Sequence, residues 1–170
     1  MAGPISRLAA PAVLLLAGCG AAAQPPAVEG SVDRIVIEKA AHRMSLYAGD
    51  RLVRTYDVSL GGGGLAPKTR QGDRRTPEGD YRITGRNPNS RFHLSLRISY
   101  PTPAQAAAAR AQGGDPGGDI MIHGLPNGRG ALWALYKGRD WTDGCIAVTD
   151  PEIEEVWKLV RDGARVRITP

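Results

Sequence analysis

Cys145 follows the run Trp141-Thr142-Asp143-Gly144, and His123 ends the stretch Asp119–His123, with Gly124 directly behind it. A thiol acts as an acyl-transfer nucleophile when a base lies within hydrogen-bond reach and backbone donors face the developing oxyanion. His123, at the end of a short apolar segment, is placed to be such a base. The tight turn Thr142-Asp143-Gly144 offers backbone N–H groups for a negative charge, and Gly124 allows backbone or substrate to approach closely. Metal binding fits poorly, because the one cysteine beside the dispersed His42, His93 and His123 lacks any paired-ligand spacing. A redox sensor would need a resolving cysteine near Cys145, and none is present.

The second cysteine has a different setting. Arg7 precedes the apolar run Ala9–Leu16, which is too short to span a bilayer but suits the apolar core of a secretory signal. The run leads into Leu16-Ala17-Gly18-Cys19, which resembles the bacterial lipobox. That resemblance implies cleavage after residue 18, lipidation of Cys19, and attachment to a membrane through the N-terminal lipid. Gly20, rather than aspartate, follows the cysteine, which by the same resemblance favours outer-membrane sorting. The expected organisation is a lipoprotein signal peptide over 1–18, a lipidated cysteine and flexible tether over 19–31, and a catalytic domain over 32–170. The expected location is periplasmic and lipid-anchored, at the outer membrane. Thiols oxidise there, and acylation of Cys19 leaves Cys145 no partner for a disulfide within the chain.

The elements that must position Cys145 and His123 are mostly strands. The chain has 170 residues, 42% hydrophobic and 23% charged, enough for one globular core. Its 22 glycines and 13 prolines disfavour a helical bundle and suit a turn-rich β domain. The net charge of +5 comes from scattered basic residues with few aromatics, which argues against nucleic-acid binding but remains compatible with an anionic polymer. Apolar alternation predicts strands over 32–39, 43–47, 51–60 and 79–85. Between them, a loop after Gly61–Gly64 carries Lys68, Arg70, Arg74 and Arg75, either solvated or bordering an anionic substrate. Over 91–100, Phe92, Leu94, Leu96 and Ile98 share one face, and Arg91, His93, Ser95, Arg97 and Ser99 share the other. A helix over 104–111, strands over 119–123 and 145–149, and one or two helical turns over 131–137 follow. The last helix has Asp150 as its cap, Pro151 at its first position, and a stripe of Ile153, Val156, Trp157 and Val160. Gly163 ends it, and 164–169 closes the chain as a strand.

The combination of His123-Gly124 with Thr142-Asp143-Gly144-Cys145-Ile146 resembles the active-site motif of the L,D-transpeptidases, the YkuD-type domain. In that motif a histidine precedes Ser/Thr-x-Gly-Cys by somewhat under twenty residues. Arg75-Thr76-Pro77-Glu78-Gly79-Asp80-Tyr81 is similar to the family's Thr-Pro-x-Gly-x-aromatic strand. The segments 90–101 and 141–149 resemble the YafK-like branch, one member of which releases a covalently attached lipoprotein from peptidoglycan. The resemblance implies a mainly β fold, a β-sandwich or barrel-like double sheet with a few peripheral helices. It implies that Cys145 attacks the acyl carbon at the L-centre of meso-diaminopimelate in a peptidoglycan stem peptide. His123 then serves as general base and acid, and the N–H groups of Gly144 and Cys145 hold the oxyanion. Thr142, Asp143, Gly124, His93 and Arg75 are the substrate-side candidates, and no metal or organic cofactor is required.

Two positions depart from the family pattern. Asp143 stands where many members have a second histidine, and Ala147 where many have asparagine or arginine. The polar face bearing His93 either replaces the missing contact or is a solvated strand face. The expected reaction is acyl transfer at diaminopimelate, and in this branch hydrolysis of its bond to an attached outer-membrane lipoprotein. General 3→3 cross-linking or lipoprotein attachment is the alternative, followed by a non-catalytic wall-binding protein. His42, beside a turn, is structural or exposed.

Overall fold

Two apolar residues facing two others set the first hairpin. In the computed structural model, which describes residues 28–170, Ile35 and Ile37 of β1 (Val32–Glu38) stand opposite Leu46 and Met44 of β2 (Arg43–Ala48), and all four are fully buried. The signal segment, Cys19 and most of the tether lie outside the described residues. β3 (Arg51–Asp57) extends the meander, and β8 (Val160–Thr169) joins β1 in parallel on its other side.

β4 (Gly79–Ser90) is the hinge of the architecture. Its first residues, Gly79–Arg82, pair with β8, while Ile83 and the residues beyond pair with β5 (His93–Ile98). β6 (Met121–His123) lies antiparallel to β5, and β7 (Ile146–Ala147) runs parallel to β6. The strand order is therefore β3-β2-β1-β8-β4-β5-β6-β7, one mostly antiparallel sheet shared by two halves. The sheet curls until its two edges meet: Ser59, just past β3, bridges to Ala147, and Gly61 bridges to Thr142. That contact carries the chain beyond β3 straight to the turn before Cys145. The barrel-like double sheet implied by the family resemblance takes this form.

Among the described residues three helices surround the sheet: α1 (Pro103–Ala111), α2 (Trp133–Tyr136, after a 3-10 turn over Gly130–Leu132) and α3 (Asp150–Leu159). Ile153 and Val156 of α3 are fully buried in the same core as Leu96, Ile122 and Ile146, so α3 packs behind the strands that carry Cys145 and His123. Among the described residues no helix is long and apolar enough to cross a membrane.

Several boundaries differ from the sequence expectation. The cap of α3 is Thr149, not Asp150, and the Thr149 N–H donates to Glu152 Oε2 at 2.8 Å. Asp150 instead accepts from the Leu125 N–H at 2.8 Å, tying the helix start to the segment after His123. α3 ends at Leu159, and Val160 and Gly163 already belong to β8. β4 runs five residues past Gly85, because the β4–β5 hairpin turns only after Ser90. β3 stops at Asp57, since the following residues leave β2 to meet the far edge.

Candidate active site

β6 and β7 put the two candidate residues on one surface. In the parallel pair Ile122 stands beside Ile146 and His123 beside Ala147. Parallel neighbours project to the same face and residues two apart share it, so His123, Ala147 and Cys145 emerge together. Cys145 is the diagonal neighbour of His123, with backbones on the order of 7–8 Å apart and side chains in mutual reach. Ile122 and Ile146 point the other way and anchor both segments in the core.

His123 is 3% exposed. Phe92 lies over its ring at 4.5 Å between centroids, and Trp141 meets it edge-on at 5.8 Å, itself braced by Tyr136 at 5.1 Å. Its Nδ1 lies 2.7 Å from the Gly124 carbonyl oxygen. A carbonyl can only accept, so Nδ1 carries the proton and Nε2 is left as the acceptor in the neutral ring. Burial pushes the imidazole pKa down, against a smaller upward pull from the Gly124 carbonyl. The ring is therefore neutral at pH 7, with Nε2 free to accept a proton.

The Cys145 thiol is partly buried and donates to the Asp119 carbonyl at 3.6 Å. Burial pushes its pKa up, and the carboxylates of Asp143 and Asp119 add to the rise. The Met121 N–H and the Lys68 ammonium pull it down without reversing it. At rest the pair is a neutral thiol beside a neutral imidazole, which suits deprotonation of the thiol during attack rather than a standing ion pair.

The turn before Cys145 is held by Thr142. Its hydroxyl accepts from the Gly144 N–H at 3.1 Å and donates to the Cys145 carbonyl at 2.8 Å. Gly144 adopts φ +123°, and a Cβ there would lie 2.6 Å from the Arg75 carbonyl oxygen, so the position admits only glycine. The sequence pattern of the L,D-transpeptidase catalytic domain (YkuD) matches residues 32–168. The chain belongs to this family.

Named relatives agree with this assignment, and solved structures share the fold. The chain is 33% identical over 138 residues to YafK of Escherichia coli (strain K12), assigned by name to the L,D-transpeptidases; the match covers 77% of this chain and 48% of YafK. It is 26% identical over 142 residues to YkuD of Bacillus licheniformis, likewise named as an L,D-transpeptidase, covering 81% of this chain and 66% of that protein. The chain thus spans about half the length of YafK. In fold it is similar to the helical cell shape determining protein Pgp2 of Campylobacter jejuni (TM-score 0.59, 23% identity, 81% of this chain and 47% of that one). It is also similar to an L,D-transpeptidase of Mycobacterium smegmatis (TM-score 0.54, 14% identity, 82% and 59%).

Against this L,D-transpeptidase framework, the other candidate residues sort clearly. The Gly144 N–H is engaged by Thr142 and does not face an oxyanion, whereas the Cys145 N–H has no partner among the described residues. Thr142 is buried and works on the turn itself. Asp143 is exposed and pairs with Arg74 Nε at 3.0 Å. Gly124 serves packing rather than substrate approach: a Cβ there would lie 2.7 Å from Asp150 Oδ1 and 2.9 Å from Ile153 Cγ2. Arg75 touches the turn through its carbonyl, while its side chain donates to the Gly63 carbonyl at 3.2 Å.

His93 does not join the site. It adopts φ +64°, which breaks the alternation expected for its strand, and its Nε2 lies 2.7 Å from Glu154 on α3. Ser95 and Arg97, which keep the regular register, do lie on the face shared by His123 and Cys145, opposite His123 and Met121. His42 is structural, with Nε2 within 3.1 Å of both Asp140 carboxylate oxygens, and Asp140 also accepts from the Leu60 N–H.

The support beneath the turn went unseen in the sequence. Lys39, fully buried, donates to the Thr76 carbonyl at 3.1 Å and to Glu78 at 2.8 Å. Thr76 in turn accepts from the Gly61 N–H at 3.0 Å. In the basic loop, Lys68 reaches Asp73 at 2.8 Å, and Asp73 also accepts from the N–H groups of Thr69, Arg70 and Arg75. Among the described residues no cluster of three His, Cys, Asp or Glu could hold a metal ion.

Proposed function

We propose that this protein is a cysteine-dependent acyltransferase acting at the L-centre of meso-diaminopimelate in peptidoglycan stem peptides. The Cys145 Sγ adds to the acyl carbon while His123 Nε2 takes the thiol proton. The C–N bond then breaks, His123 returns that proton to the leaving amine, and a thioester remains on Cys145. The Cys145 N–H is the oxyanion donor, in place of the engaged Gly144 N–H. Water or a second amine resolves the thioester, with His123 again moving the proton. The observation that carries this reading is the Gly124 carbonyl at 2.7 Å from His123 Nδ1, which turns Nε2 into an acceptor on the face Cys145 shares.

Hydrolysis of a diaminopimelate–lipoprotein amide is the reaction favoured over 3→3 cross-linking. Ala147, where many relatives hold a polar side chain, is buried, with its N–H given to the Ser59 carbonyl, and brings no polar side chain to a free donor stem. The 33% identity to YafK supports placing the chain in the YafK-like branch that segments 90–101 and 141–149 resemble. With a lipidated Cys19 the enzyme would work from the outer membrane into the periplasm. The test is a side-by-side assay of the full chain on tetrapeptide-rich peptidoglycan and on peptidoglycan carrying trypsin-trimmed lipoprotein. Release of the remnant by the wild type and not by Cys145→Ala supports the reading. Rapid 3→3 dimer formation without remnant release restores the cross-linking alternative.

A further inference from the structure

The catalytic face does not end at Cys145. Met121 stands at the register position beside Cys145 on β6, and Arg97 pairs directly with Met121 across β5. All three therefore point the same way. Beyond them the face dips into a groove of about 300 Å³ lined by Gly85, Asn87, Ser95, Arg97 and Met121, among others. Ser95 is 1% exposed, and its hydroxyl has no hydrogen-bond partner. A buried, unpartnered hydroxyl beside a groove is an unmet polar contact.

Asp119 stands between this groove and the sulfur. Its carbonyl accepts from the Cys145 thiol at 3.6 Å, and its carboxylate meets Arg97 Nη2 at 2.9 Å. The two side chains are 55% and 69% exposed, so the pair adds little to stability and either charge can take a new partner at small cost. The separation from β7 to β5 is two strand spacings, roughly 9–10 Å. That matches the reach of a side chain of a few methylenes leaving an acyl carbon held at Sγ.

We propose that Arg97 and Asp119 form a specificity subsite for the amino-carboxylate end of the acyl donor's own side chain, Arg97 taking the carboxylate and Asp119 the ammonium. This rests on the diaminopimelate reading above, and it identifies the D-centre of that residue as the group recognised. A guanidinium suits a carboxylate through paired N–H donors, and a carboxylate suits an ammonium.

The test uses two muropeptide donors that differ only in the D-centre carboxylate, free in one and amidated in the other, with acyl-enzyme formation followed by intact mass. The full chain is compared with Arg97→Gln and Asp119→Asn, and thermal melting confirms that each variant folds. The wild type is expected to prefer the free acid by tenfold to a hundredfold in kcat/KM, the loss expected for one charge-assisted contact. Arg97→Gln removes that preference, slowing the free-acid donor while leaving the amidated donor within about twofold. An active protein whose preference survives Arg97→Gln, or whose two donors fall equally, overturns the subsite alone. A folded wild type that forms acyl-enzyme with neither donor overturns the diaminopimelate reading, and the subsite with it.

Discussion

Two ion pairs flank the Cys145 sulfur, and they are built for opposite purposes. Lys68–Asp73 on the loop side is 4% and 6% exposed and closes at 2.8 Å, with three backbone N–H groups crowding the same carboxylate. Arg97–Asp119 on the sheet side closes at 2.9 Å but is 55% and 69% exposed, without such a shell. The first is a fixture, since breaking a buried pair strands a charge that no solvent reaches. The second is exchangeable. The contrast teaches that the turn before Cys145 hangs from a rigid loop and opens towards a side where charges are free to change partners.

The largest expected effect lies at the point both sides serve. Cys145→Ala should lower turnover by at least about a thousandfold while leaving far-UV circular dichroism and melting close to wild type, because no core contact depends on the sulfur. His123→Ala should slow acylation by about a hundredfold to ten thousandfold, read as the rate of the acyl adduct in intact mass. An adduct that forms equally fast without His123 would remove it from the base role.

On the rigid side, Asp73→Asn should cost about 3 kcal/mol, a fall in Tm of about 10 °C by calorimetry. Burial alone would raise the Asp73 pKa, but the Lys68 ammonium and the three backbone N–H groups outweigh it and hold the carboxyl well below the usual carboxylate range. A folded pKa below the unfolded one gives stability that is fully present above about pH 4 and is lost as pH falls through the folded value. The wild type should therefore lose stability progressively on acidification below pH 4, and Asp73→Asn should show a flatter dependence. On the exchangeable side, Arg97→Gln should change stability by less than about 0.5 kcal/mol. Equal losses of Tm in the two variants would erase the contrast.

The pH profile gives the smallest but most specific signal. Burial lowers the His123 pKa, so the acid limb of kcat/KM should lie below about 6.5, the value for a free histidine. Burial raises the thiol, so alkylation of Cys145 by iodoacetamide should accelerate only above about pH 8.5.

What the sequence made legible was what depends on order along the chain. Cys145 after a tight turn, His123 at a strand end, and Ile153 and Val156 on the buried face of α3 follow from local spacing and the structure places them accordingly, whereas Val160, expected in the same stripe, has already entered β8. What it concealed depends on tertiary hydrogen bonds and on single backbone angles. His93 looked like a face-mate of Ser95 and Arg97 until a left-handed φ turned it towards Glu154. Gly144 looked like an oxyanion donor until the Thr142 hydroxyl, two residues away, proved to hold its N–H. Asp150 has every property of a helix cap, yet the Leu125 N–H draws its carboxylate while Thr149 takes the cap. Lys39 gave no signal at all, because a lysine at a strand end reads as surface until Thr76 and Glu78 fold over it.

The measurement that bears most directly on the central claim is the mass of the protein after brief incubation with a muropeptide carrying the trypsin-trimmed lipoprotein remnant and acid quench. The account predicts one adduct, equal to the donor without its leaving amine, mapped by peptide digestion to Cys145 and absent in Cys145→Ala. Product formed by Cys145→Ala at the wild-type rate, or an adduct mapped to any other residue, would contradict it.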